Sequence, residues 1–89
     1  MNYNYPLRED WTIEEIAAVV NFYGAVEKAF ESGIGRTELM AAYRAFKEIV
    51  PSKSEEKSLF KEFEDSSGYV CFNVIKAAKE GNENDQIKM

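Results

Sequence analysis

The sequence predicts an all-α fold, a compact bundle of four short helices behind an extended aromatic N-terminal strap. Three observations predict it. Thr/Ser-x-x-Glu capping boxes stand at residues 12–15 and 52–55, apolar residues recur at alternating steps of three and four, and the single β-rich run has no second strand candidate to pair with.

The first helix starts at Thr12, whose hydroxyl and the Glu15 carboxylate can satisfy each other's free amides. Ile16, Val19, Tyr23, Val26 and Phe30 form one apolar stripe, and Ser32-Gly33 ends it, because glycine tolerates the left-handed conformation past a helix end. The second helix begins near Arg36 or Thr37 and runs to about Ile49, with Leu39, Tyr43, Phe46 and Val50 inward. Pro51 stops it, since the ring disfavours helical Val50 and lacks an amide.

Ser52-Lys53-Ser54-Glu55 opens a third helix with Leu59, Phe60 and Phe63 on its apolar side, and Ser66-Ser67-Gly68 breaks it. The run Tyr69 to Ile75 has strand-like composition. An unpaired strand would leave its backbone unsatisfied, and the run continues into the helix-forming Lys76-Ala77-Ala78-Lys79-Glu80, so a fourth helix is predicted over about 68–80 with Ser66 or Ser67 as N-cap. The expected core includes Ile16, Val20, Tyr23, Leu39, Phe46, Phe63, Val74 and Ile75, in an orthogonal or irregular bundle with no β-sheet.

A chain of 89 residues supports one core, because it buries only roughly 60–65% of its unfolded surface. The expected organisation is a single helical domain over 1–80, with the strap over 1–10, and a flexible polar tail over 81–89. No signal peptide or membrane span is visible, so a cytoplasmic location is expected.

Several motifs carry a resemblance. Tyr-x-Tyr-Pro at residue 3, Trp-Thr-x-Glu-Glu-Ile at 11, Val-Val-Asn-Phe-Tyr at 19 and Val-Glu-Lys-Ala-Phe-Glu-Ser-Gly-Ile at 26 are joined by Phe-Lys-Glu-Ile-Val-Pro-Ser-Lys-Ser-Glu-Glu-Lys at 46 and Phe-Glu-x-Ser-Ser-Gly-Tyr at 63. Together they resemble the small proteins of Bacillus-like Gram-positive bacteria grouped as uncharacterised protein family 0223. The match covers roughly residues 3 to 80, and Ile49 to Lys57 is its most specific block. It implies a compact helical fold in a bacterial cytoplasm and brings no reaction, ligand or catalytic residue.

The chemistry must therefore be read from the residues. There is no histidine and a single cysteine, Cys71, which removes the usual acid–base partner of a nucleophile and the ligand clusters of zinc sites. No catalytic residue, cofactor or metal site is expected. Cys71, among Val70, Phe72 and Val74, reads as a core thiol. The Gly33-Ile34-Gly35-Arg36-Thr37 turn reads as an interhelix connection rather than an anion cradle, lacking P-loop spacing and a preceding strand. The acidic pairs Glu14-Glu15, Glu55-Glu56 and Glu62 with Asp65 read as solvated faces.

Two features point to partners. Tyr3, Tyr5, Pro6 and Trp11 crowd large rings ahead of the first helix, as a lid on the core or as a recognition surface. Charge is also polarised: residues 36–61 carry +2 in a chain of −5, and Lys53, Lys57 and Lys61 repeat along one helix face. The net charge repels polyanions, so nucleic acid is not expected as a ligand. The expected function is a small non-enzymatic module that binds another protein or itself through Lys53, Lys57, Lys61, Tyr3, Tyr5 and Trp11. The alternative is a small-molecule binder or enzyme using carboxylates and tyrosines in a crevice.

Overall fold

The structure is a computed structural model that describes residues 5–89. The chain runs α1 (Ile13–Glu31), β1 (Ile34–Gly35), α2 (Arg36–Ile49), α3 (Lys53–Ser67), α4 (Cys71–Glu80) and β2 (Gln86–Ile87). The all-α bundle of the sequence is the fold observed.

Local chemistry sets the helix ends. The Thr12 box is complete: the Glu15 amide donates to Thr12 Oγ1 at 3.1 Å, and the Thr12 amide to Glu15 Oε1 at 2.8 Å. The Ser52 box closes by half, the Glu55 amide reaching Ser52 Oγ at 3.3 Å, while the Glu55 carboxylate turns to Arg8 4.0 Å away. Gly68 ends α3 at φ 82°, where a side chain would be strained.

Packing converges on a column of rings. Phe22 of α1 lies 4.9 Å from Phe46 of α2 and 5.7 Å from Phe60 of α3, while Tyr23 stacks on Phe63 at 4.7 Å. Such offset contacts add about 0.5–1.5 kcal/mol each beyond area burial. Tyr23, Leu39, Phe46, Phe63, Val74 and Ile75 are buried as expected.

Four expectations need correction. Ile16 and Val20 are only half-buried, and the inward face of α1 is instead Val19, Phe22, Tyr23, Ala25, Val26 and Ala29. The helix is apolar on nearly every side from Ile16 to Val26, so its rotation is set by the aromatic neighbours rather than by its own pattern. The N-cap of α4 is Val70, with no side-chain cap. Ser66 and Ser67 are spent on the end of α3: both hydroxyls donate to the Phe63 carbonyl, at 3.1 and 2.7 Å, and Ser67 Oγ also receives the Tyr69 amide.

The expected absence of a sheet fails because β1 and β2 pair antiparallel, Ile34 opposite Ile87. With it fails the free tail over 81–89, since Ile87 is 5% exposed and completes the core. Polar anchors hold this segment: the Arg36 amide donates to Asp85 O at 2.9 Å, Thr37 Oγ1 to Glu83 O at 3.0 Å, and the Met89 amide to Ala29 O at 2.8 Å. Gly33, at φ 100°, lets the chain turn beneath Gln86 and Lys88.

Candidate functional site, a basic and aromatic face on helices α3 and α4

The lysine stripe is where the sequence places it. Lys53, Lys57 and Lys61 are exposed on α3. Lys61 lies 3.5 Å from Asp65 one turn on, whereas Lys53 and Lys57 make no ion pair among the described residues. Phe60 stands three residues after Lys57 and seven after Lys53, so its ring, 3% exposed in the core, borders their side of the helix from within.

That ring leads to residues the sequence did not single out. Phe72 of α4 meets Phe60 edge-on at 4.7 Å yet remains 42% exposed. Lys76 and Lys79 follow it four and seven residues later, on the same side of α4. Phe72, Asn73, Ile75, Lys76, Lys79 and Glu80 line an open depression of about 470 Å³, and the Lys79 ammonium lies 5.9 Å from the Tyr43 ring. The available signal was Phe72-x-x-x-Lys76-x-x-Lys79, hidden because a phenylalanine in an apolar run reads as core.

Behind this face sits a buried carboxylate. Glu56, 4% exposed, accepts from Tyr43 Oη at 2.8 Å and lies 3.3 Å from Lys47 Nζ, which also reaches Pro51 O. Burial and then the bond to Glu56 push the Tyr43 hydroxyl well above its ordinary range. The expectation of a solvated Glu55-Glu56 pair is corrected at Glu56: the end of α2 supplies its partners.

The aromatic strap turns inward. Tyr3 lies outside the described residues. Tyr5 is half-buried, its hydroxyl 2.6 Å from Glu27 Oε1 and its ring 5.3 Å from Tyr23 and 6.1 Å from Phe63. Burial, and then Glu31, raise the Glu27 carboxyl above the usual range. Pro6 is buried and accepts the Tyr23 hydroxyl at 3.1 Å, and Trp11 packs half-buried on the core. Arg8 clamps the strap to α3 through Glu62 at 2.8 Å, which raises the guanidinium's pKa.

The remaining candidates are occupied internally. Arg36 Nε donates to Ala78 O at the end of α4, so the Gly33–Thr37 turn spends its cation inside the molecule. Glu62 and Asp65 face Arg8 and Lys61 separately. Cys71 is 1% exposed, and burial drives its thiol pKa far upward. A second, smaller groove of about 110 Å³ runs between α1 and α2, lined by Asn21, Gly24, Ala25, Lys28, Glu38 and Ala42. No described helix is long and apolar enough to cross a membrane.

Fold and face together define a small four-helix protein with a cationic, aromatic-centred surface. The chain belongs to the uncharacterised protein family UPF0223, whose profile matches residues 2–87. It is 53% identical to a UPF0223 protein of Oceanobacillus iheyensis over 96% of this chain and 97% of that one. Similar matches reach a UPF0223 protein of Bacillus mycoides, 52% identical over the full length of both chains, and one of Staphylococcus aureus, 46% identical over 99% and 97%.

Proposed function

We propose that this protein is a small non-enzymatic interaction module of the bacterial cytoplasm, docking an acidic protein segment across Lys53 and Lys57 of α3 and Phe72 of α4. The observation that carries this reading is Phe72. Its edge contact with Phe60 still leaves the ring 42% exposed, on the helix that carries Lys76 and Lys79, so much of its apolar surface stays in water in the isolated fold. A partner would bury it as an anchor, and Lys53, Lys57, Lys76 and Lys79 would steer a negative surface onto it. The interaction should weaken with salt, because exposed charges are screened over about 8–10 Å.

The test is affinity capture from the native cytoplasm, followed by mass spectrometry, with the parent chain, Phe72→Ala and the triple change of Lys53, Lys57 and Lys61 to Glu. All three substituted lysines are exposed, so the helical spectrum should hold. Proteins retained by the parent in low salt and lost from both variants support the reading. Identical captured sets from all three proteins would refute it.

A further inference from the structure

A different surface of the molecule, the outer side of α1, also lacks a reason within the fold. Ile13, Ala17, Val20 and Gly24 recur at steps of four, three and four, a second apolar seam on the side away from the core residues Val19, Phe22, Tyr23 and Val26. Ile13 is 84% exposed, Ala17 is exposed, and Val20 is only half-buried. No charged side chain occurs between Glu15 and Glu27, and over these turns Ala17 and Asn21 are exposed while Val20 and Gly24 are half-buried.

Gly24 is the second anomaly. It lies mid-helix at an ordinary φ, and a Cβ there would meet nothing within 4 Å. Glycine is the weakest helix former after proline, so the isolated fold would do better with alanine. A bare backbone on a helix surface makes sense where another backbone comes close.

The flanking polar residues say what comes close. Glu14, Asn21 and Lys28 are spaced by seven and so share one edge of the seam. In an antiparallel pairing with its twofold axis beside Asn21, Glu14 faces the partner's Lys28 and Lys28 faces the partner's Glu14. Val20 fits over the partner's Gly24, and the Asn21 amide, both donor and acceptor, meets its own symmetry mate. The edge is its own complement. Lys28 lies 3.7 Å from Glu38 of α2, but both side chains are more than half exposed, at 60% and 65%, so the contact is readily exchanged.

We infer that the outer face of α1 binds a second copy of this chain as a twofold-symmetric antiparallel dimer, centred on Asn21 with Val20 packed over the partner's Gly24. This interface is separate from the Phe72 face and leaves it free for its acidic ligand.

Sedimentation velocity on the full chain, with circular dichroism as a check of folding, tests it. The parent should approach twice its monomer mass as concentration rises. Gly24→Arg should stay monomeric with an unchanged helical spectrum, because the side chain points into open space in the monomer. Glu14→Lys and Lys28→Glu should each weaken dimerisation by about tenfold, since each pair occurs twice, and the double charge swap should recover most of that loss. Phe72→Ala should leave the mass unchanged, which separates this result from the proposed docking face. A parent that remains monomeric up to roughly millimolar concentration, a Gly24→Arg protein that still dimerises, or a double swap no better than the single changes would each overturn the inference.

Discussion

Replacing Ile87 by Ala tests whether the last residues are part of the core or an ornament on it. Ile87 is 5% exposed and sits opposite Ile34, itself 3% exposed, so the substitution removes buried methyl groups from a site closed by other atoms. Transfer of those groups plus an incompletely collapsed cavity should cost about 2–3 kcal/mol, the lower part of the range for such changes because a strand pair only two residues long can close part of the gap. Against a total stability of about 5–10 kcal/mol, this is a large fraction and should lower Tm by roughly 10–20 °C. Urea unfolding followed by circular dichroism reads it as a lower midpoint at constant slope. The neighbouring Lys88, which is exposed, provides the control, as Lys88→Ala should stay within about 0.5 kcal/mol of the parent. Equal midpoints for the two variants would show that β2 does not hold the core.

Two further outcomes are expected. Glu56→Ala should cost about 2–3 kcal/mol, because Tyr43 and Lys47 lose a charged acceptor at 2.8 and 3.3 Å, and Tyr43→Phe should then add little; additive costs in that double-mutant cycle would refute the cluster. At high pH the fold should weaken, because burial raises Cys71 from an ordinary 9.0 and Tyr23 and Tyr43 from 10.0, so the native state keeps protons that the unfolded chain releases. Their stabilisation is complete below those ordinary values and is lost as pH climbs above them. A urea midpoint that stays flat from roughly pH 8 to pH 11 would contradict the assignment.

How far the sequence was legible depended on whether the controlling interaction was local. Thr12 with Glu15, Ser52, Pro51 and Gly68 mark helix ends through contacts within a few residues, and the four helices follow from them. The rotation of α1 was not legible, because a helix apolar all round exposes whichever side its neighbours leave uncovered. Ile87 is one apolar residue in a polar run, and its burial depends on Ile34 far upstream. Glu56 looks like any surface carboxylate until Tyr43 and Lys47 are brought across from α2. At the candidate face, Lys53 and Lys57 were visible through their spacing. Phe72 was not, since exposure of a ring is a property of the packing around it.

Both ends of the described chain clasp the same helix. Tyr5 sets its ring 5.3 Å from Tyr23 and bonds Glu27, while the Met89 amide reaches back to Ala29, so the strap and the final strand both close on α1. Loosening the strap uncovers Tyr23 and Phe63, and loosening β2 uncovers Ile34, all parts of one buried core among the described residues. Hydrogen exchange should accordingly show the central amides of α1, α2 and α4 surrendering protection together at one denaturant concentration, as one cooperative unit rather than a sequence of partial openings.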